Sequence, residues 1–258
     1  MSFTSPEAHQ DAFTTQHVTA DSRLNMAMDA VAGVTHRSAQ RSSPGCVSGT
    51  RVTQTPQARL PRHIGFIPDG NRRWAVGHGL AREAGYMHGV DPGLQLFDLC
   101  SSLGIEEVSV YGFTQDNTRR PTVQTEQFRH SCTVFAHEIA RRGASLLVLG
   151  DDTSSQFPES LKPFRTRQGD GIKVNFLANY GWEWDLAGLR EGRLRSHEVS
   201  RMDLIVRWGG ARRLSGFLPV QSVYADFFVI DAYWPAFEPA HLDQALGWFK
   251  EQDRTLGG

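Results

Sequence analysis

The segment 67–75, IPDGNRRWA, holds the residue types best suited to chemistry. It follows the short apolar run 63–66, of the kind that forms a buried strand, and precedes a breaker-free stretch from Arg73. That order predicts a strand, a tight Asp-Gly-Asn turn and a helix start. A helix start offers unpaired backbone N–H groups and a positive dipole end, and Gly70 lets a ligand approach the backbone, so an anion such as a diphosphate fits there. Arg73 and Arg82 add fixed positive charge that pairs with phosphate oxygens. A carboxylate beside a phosphate repels it unless a cation lies between them, so Asp69 points to Mg²⁺. The plain alternative is an Asp-Gly turn capping a helix beside solvated arginines.

The elements that must position these residues alternate along the chain. Apolar runs suited to strands cover 63–68, 107–113, 145–149, 172–178, 203–207 and 227–230, with helical patterns over 93–103, 124–142, 159–165, 183–190 and 241–254. Such alternation predicts an α/β domain with a mostly parallel sheet flanked by helices on both faces. Ligands of such sheets lie beyond the carboxyl ends of the strands. Asp69, the loop 114–120, the turn 179–181 and the loop 207–215 each directly follow an expected strand.

The 258 residues suffice for one good-sized domain and a tail. Residues 1–60, rich in Ser, Thr, Gln and Ala, carry too little apolar surface to offset their ordering entropy and read as a weakly ordered extension, with one short amphipathic helix over 21–32; the domain proper is 61–258. A formal net charge of −1 gives no reason to expect nucleic acid or an anionic membrane as partner. The three cysteines, Cys46, Cys100 and Cys132, lack CxxC spacing, which points away from a disulfide framework and toward a reducing cytoplasm. No apolar run is long enough for a membrane span, and the first residues lack the pattern of a secretion signal.

Five blocks in order carry a resemblance: 67–75, then Tyr111-Gly112-Phe113-Thr114 through Asn117 to Arg120-Pro121, Asn179-Tyr180-Gly181, Asp203 to Arg207 with Arg213-Leu214-Ser215, and Tyr224-Ala225-Asp226. Over 62–258 they resemble the cis-prenyltransferases, the undecaprenyl diphosphate synthase family. The resemblance implies that fold and a Mg²⁺-dependent condensation of prenyl diphosphates: dimethylallyl, geranyl or farnesyl diphosphate with isopentenyl diphosphate. It assigns Gly70, Asn71, Arg73 and Arg82, together with Arg72 and Tyr86, to the allylic substrate, Arg207, Arg213 and Ser215 to isopentenyl diphosphate, and Arg120 to substrate binding. Asp69, Asn71 and Asn117 are the catalytic candidates, with Asp69 and Asn117 open to the departing proton. Asp69 and Asp226 are the metal candidates, Asp226 standing where the family has the glutamate of Tyr-x-Glu. Trp74 joins the substrate-binding set because an aromatic face stabilises an allylic cation, although packing is the plainer role for it and for Phe113. The resemblance also implies a homodimer, for which Leu242, Ala245, Leu246 and Phe249 offer an apolar stripe that a core could equally absorb.

The departures cluster at the reacting groups. Gly85-Tyr86 stands where chain elongators have Gly-His; Gln115 and Thr118 replace a serine and the substrate-covering tryptophan; Ala211 replaces a glutamate, and Thr255 an arginine near the C-terminus. Between Asp185 and Asp203 most of a helical segment is missing. Arg72-Arg73-Trp74, the Gly85-Tyr86 replacement and Pro219 together resemble the cyclolavandulyl diphosphate synthases, a branch that couples two dimethylallyl units irregularly, whereas Asn71 and Trp234-Pro235 resemble the chain elongators. Three readings therefore stand: a short-chain synthase, an irregular coupling or cyclising enzyme, and a non-catalytic partner subunit.

Overall fold

The computed structural model describes residues 60–252. The helix expected over 21–32 and the positions of Cys46 and Thr255 lie outside them. Six strands form one sheet in the order β3-β4-β2-β1-β5-β6, every neighbouring pair parallel. They are β1 (His63–Ile67), β2 (Glu107–Thr114), β3 (Ser145–Leu149), β4 (Lys173–Tyr180), β5 (Leu204–Arg207) and β6 (Asp226–Val229). Each falls within a few residues of its expected position.

The two-residue period of a strand splits the core into two layers. Ile64 and Phe66 of β1, Leu146 and Val148 of β3 and Leu204 and Val206 of β5 face one layer with the long helices; Ile67, Leu147, Leu149 and Ile205 face the other with Phe217 and Leu218. Near-continuous apolar runs are what a sheet covered on both faces requires.

The helices are α1 (Asn71–Gly77), α2 (Ala84–Met87), α3 (Val90–Ser102), α4 (Thr122–Arg141), α5 (Trp182–Ala187) and α6 (Pro239–Lys250). The single turn of α2 is too short to show a period and was not expected. The pattern over 159–165 is a 3-10 helix with Pro163 inside it, because proline removes an N–H that a longer α-helix needs. The stripe on α6 goes to the core: Leu242, Ala245, Leu246 and Phe249 are all buried in the chain's own larger layer, so it offers no dimer surface.

The missing helical segment is closed by a polar knot. Asp185 of α5 is 1% exposed and accepts from the Ser196 backbone N–H at 2.8 Å, the Ser196 hydroxyl at 2.7 Å and the Tyr180 hydroxyl at 2.8 Å. Gln221 Nε2 donates to Ser196 Oγ at 2.8 Å. A buried carboxylate is tolerated because three donors satisfy it.

A second buried network sits at the amino ends of the strands. His63, 1% exposed, is fixed in one neutral tautomer: Nδ1–H donates to Ser200 O at 3.0 Å and Nε2 accepts from the Ser109 hydroxyl at 2.9 Å. Glu107 accepts from Asn175 Nδ2 at 2.6 Å and from the Ser200 hydroxyl at 2.7 Å. Burial pushes the His63 imidazole below its ordinary pKa against the pull of Glu107. Burial works to raise Glu107, but His63 and the Ser200 and Asn175 hydrogen bonds outweigh it and hold that carboxyl below the ordinary range. Both groups bind protons more weakly folded than unfolded, so both lose stability as pH falls, His63 from about 6.5 downward through its folded value and Glu107 only from about 4.5 downward. The expected outcome is a Tm that drops between about pH 7 and pH 5, each kcal/mol lost showing as about 2–4 °C. A folded His63→Gln variant flattens that stretch of the curve; an unchanged slope in differential scanning fluorimetry refutes the assignment.

Candidate active site

The carboxyl ends of β1, β2 and β5 open into one cavity of about 830 Å³. Of the fourteen positions that the sequence marked, twelve line it: Asp69, Gly70, Asn71, Arg72, Arg73, Arg82, Tyr86, Asn117, Arg120, Arg207, Arg213 and Ser215. Six arginines against the two carboxylates Asp69 and Asp116 make the cavity strongly positive in a chain whose formal charge is −1. Field lines focused in a cleft of one sign attract anions, and a diphosphate is the anion whose spacing several guanidinium forks can share.

The first loop is built around Gly70. Its φ is +101°, and a Cβ there would lie 2.7 Å from Cδ1 of Tyr233, so both the left-handed turn and the contact exclude a side chain. The turn swings the Asp69 carboxylate back onto its own loop, where Oδ1 accepts the Gly70 N–H at 2.6 Å. Oδ2 takes Arg207 Nη2 at 2.8 Å and stands 3.5 Å from Arg73 Nη2. Arg73 also lies over the Tyr233 ring at 4.8 Å.

Arg207, at the end of β5, is 3% exposed. Besides Asp69 it bonds Ser215 Oγ at 3.0 Å and the Arg213 carbonyl, folding the third loop back over its own strand. Its Nε is buried with no hydrogen-bond partner among the described residues. Tyr111 of β2 clamps the same loop by donating to Ser215 O at 2.7 Å; burial pushes its pKa up, so it stays a hydroxyl donor. Ser215 has φ +53°.

The second loop carries Asn117 and Arg120. Asn117 Oδ1 accepts the Thr114 N–H at 3.1 Å within a capping box, so the oxygen that would take a proton holds the loop instead. Arg120 Nη1 donates to the Tyr86 hydroxyl at 2.9 Å, and the Tyr86 ring stacks on Phe128 at 4.4 Å and 7°. A pair of residues far apart in sequence thus joins α2 to the second loop.

Two marked residues are elsewhere. Trp74 stacks on His78 at 4.1 Å and leans on His88 at 4.8 Å, and it does not line the cavity. On the helix it points about 100° away from Arg73 and about 200° away from Arg72, so it falls off the side that presents those two to the cavity. Asp226 opens β6 and pairs with Leu204, the first residue of β5, whereas Asp69 lies past the Ile67–Arg207 pair at the far end of the same strands. Three residues of strand rise, about 10 Å, separate those ends, so within one chain Asp226 does not share a metal with Asp69.

Among the lining residues outside the marked set are Tyr111, Phe128 and Tyr233. Tyr111 stands inside a motif block, and its place just before the strand end was a usable signal; Phe128 and Tyr233 gave none. For a divalent ion the fit is that of a single carboxylate: among the described residues no group of three or more His, Cys, Asp or Glu converges. Mg²⁺ is held by one or two carboxylates with substrate phosphates and water, so Asp69 at the edge of an anion-attracting cavity is a suitable ligand.

Comparison with known proteins accords with this geometry. A family model for undecaprenyl diphosphate synthase matches residues 67–257. The chain is 31% identical over 233 residues to the ditrans,polycis-undecaprenyl-diphosphate synthase, farnesyl-diphosphate specific, of Aliivibrio fischeri, covering 77% of this chain and 89% of that one. It is 29% identical over 241 residues to the synthase of the same name from Escherichia coli, covering 80% and 95%. In fold it is similar to lavandulyl diphosphate synthase from Lavandula x intermedia, solved with dimethylallyl diphosphate, at a TM-score of 0.65 and 22% identity, over 77% of this chain and 99% of that one. An arginine-lined cavity at the carboxyl end of a parallel sheet, the ordered motif blocks and these matches agree, and the chain belongs to the undecaprenyl diphosphate synthase family of prenyltransferases.

Proposed function

We propose that the chain is a Mg²⁺-dependent prenyltransferase joining an allylic prenyl diphosphate to a second five-carbon prenyl diphosphate to give a short isoprenoid diphosphate. The observation that carries this reading is the gathering of six arginines and Asp69 from three loops around one cavity. Arg73 and Arg82, with Arg72 and the Gly70 turn, hold the allylic diphosphate; Arg207, Arg213 and Ser215 hold the acceptor diphosphate. The C–O bond of the allylic substrate breaks with its electron pair leaving on inorganic diphosphate, the acceptor double bond attacks that carbon, and the acceptor then loses a proton. Bound Mg²⁺ supplies charge neutralisation on the leaving diphosphate. Fixed guanidinium groups stabilise the same charge without reorganising. Asp69 and Asn117 are the candidates for managing the departing proton, each already holding its own loop, Asp69 through the Gly70 N–H and Arg207 and Asn117 through the Thr114 N–H.

Irregular coupling of two allylic units is the second reading, favoured by Tyr86. A phenol tied to Arg120 stands where chain elongators carry an imidazole, and Gln115 and Thr118 alter the same loop. Incubation of dimethylallyl, geranyl and farnesyl diphosphates with and without isopentenyl diphosphate, read by mass spectrometry, separates the two: regular condensation needs isopentenyl diphosphate and irregular coupling does not. Asp69→Ala is expected to cut product at least about a hundredfold. Product equal to that of the wild type sinks the reading.

The two arginine sets should fail differently. Losing one charged partner of a phosphate costs about 1.5–3 kcal/mol, or about ten- to a hundredfold. Arg213→Ala raises the KM for the acceptor and spares acceptor-independent hydrolysis of the allylic substrate, whereas Arg82→Ala depresses both. Equal loss of hydrolysis in the two variants overturns the division into two sites.

We also propose a homodimer, formed through β6. That edge strand is only half-buried along its length, and the exposed Val220, Val223 and Tyr224 precede it. Among the described residues β6 is the last strand of the sheet, and an edge strand with apolar neighbours favours association. Light scattering at micromolar concentration should report twice the chain mass; a monomer contradicts this. The free, buried thiols Cys100 and Cys132 support a reducing cytoplasm as its location. Among the described residues no helix is long and apolar enough to cross a membrane.

A further inference from the structure

The residues that follow β6 lace the first loop to the third. Gly209 N–H donates to Ala232 O at 2.8 Å, Gly210 N–H to Ile230 O at 3.1 Å and Trp234 N–H to Asp69 O at 2.9 Å. The backbone of Tyr233 is therefore pinned on both sides, and it is extended, with φ −75° and ψ +147°. Extended chain sends successive side chains to opposite sides. Trp234 takes the core side, where it is 5% exposed, packs on Trp208 at 4.8 Å and donates from Nε1 to Gly89 O at 2.8 Å. Tyr233 is left facing the cavity, which it lines.

The place of the ring is fixed by two glycines and an arginine. A Cβ on Gly70 would lie 2.7 Å from Cδ1, 2.9 Å from Cβ and 3.1 Å from Cα of Tyr233, so the first loop abuts the ring with only a glycine between them. Over the ring face lies the Arg73 guanidinium, 4.8 Å from the centroid. The Gly209 backbone comes so close to the same guanidinium that a Cβ there would stand 2.7 Å from Nη2. Arg73 thus occupies a slot with an aromatic wall and a glycine floor.

The carboxylate beside the slot holds Arg73 loosely. Asp69 Oδ2 takes Arg207 Nη2 at 2.8 Å but stands 3.5 Å from Arg73 Nη2, outside the usual hydrogen-bond range of about 2.7–3.2 Å. The Arg73 side chain is half exposed, and a long ion pair at that exposure orients a guanidinium poorly. An aromatic face attracts the guanidinium through its quadrupole and takes up none of its five N–H donors. A ring is therefore a partner that orients the fork and leaves its hydrogen bonds for a ligand.

We infer that Tyr233 is a positioning residue: its ring face sets the Arg73 guanidinium for the allylic diphosphate while leaving the N–H donors free for phosphate oxygens. The inference rests on the proposed function for its substrate, and the test separates the two. Calorimetry measures binding of dimethylallyl thiolodiphosphate, which does not ionise, and of isopentenyl diphosphate to the wild type, Tyr233→Leu and Tyr233→Phe. Tyr233→Leu should weaken the dimethylallyl compound about threefold to thirtyfold and move isopentenyl diphosphate less than about twofold. Tyr233→Phe, which keeps the face and drops the hydroxyl, should bind both as the wild type does. In an Arg73→Gln background the loss caused by Tyr233→Leu should vanish, because the ring then has no guanidinium to position. Should the leucine variant not fold, successively fluorinated phenylalanines at position 233 keep the shape and drain the face, and affinity for the dimethylallyl compound should fall with each added fluorine; a merely structural ring is indifferent to that series. Equal loss of both ligands, greater loss of isopentenyl diphosphate, a phenylalanine variant as weak as the leucine one, a loss that persists without Arg73, or a flat fluorine series overturns the inference. No product from any pair of diphosphates refutes the proposed function while the binding comparison still decides this inference; binding of neither ligand overturns both.

Discussion

The site depends on the pairing of Asp69 with Arg207. The guanidinium is almost wholly buried and the carboxylate lies at the cavity edge, and Arg207 spends its two terminal nitrogens on different loops: one on Asp69, the other on Ser215 and the Arg213 carbonyl. Removing one partner of such a pair leaves a buried charge without compensation, at a cost of about 3–5 kcal/mol. The first and third loops therefore hold one geometry together. The parallel register of β1 on β5, with Ile67 beside Arg207, is what brings the two groups within reach.

The same carboxylate explains how a positive cavity stays open. Six guanidinium groups repel one another, and partners such as Asp69 for Arg207 and Arg73, Tyr86 for Arg120 and Gln124 for Arg72 hold them apart at the rim. Arg82 and Arg213 are left exposed at the mouth. The arrangement has an anchored inner layer and an outer layer able to reach an anionic ligand.

Below the charged layer the chemistry reverses. The walls under Tyr86 and Phe128 are aromatic and aliphatic, so a ligand with a charged head and a hydrocarbon tail is matched along its length. Phe135, Phe176 and Trp234 line this apolar space and belong to the main core.

Local pattern determined a great deal. Each strand showed as an apolar run because a sheet covered on both faces needs no alternation; the rule that ligands sit past the strand ends pointed to Asp69 and to the loops 114–120 and 207–215, and the family resemblance marked the fourteen residues of which twelve line the cavity. What local pattern could not carry was direction and distance. Trp74 sits beside Arg73 in sequence, but helical geometry turns it onto His78 and His88. Asp226 sits in a motif, but it begins a strand that runs toward the site rather than ending there. The stripe on α6 was legible as apolar, yet only packing decided that its partner is the core and not a second chain. The Arg120–Tyr86–Phe128 contact and the Tyr111 clamp on Ser215 join residues from separate elements, and such contacts exist only once the sheet order has brought those elements together.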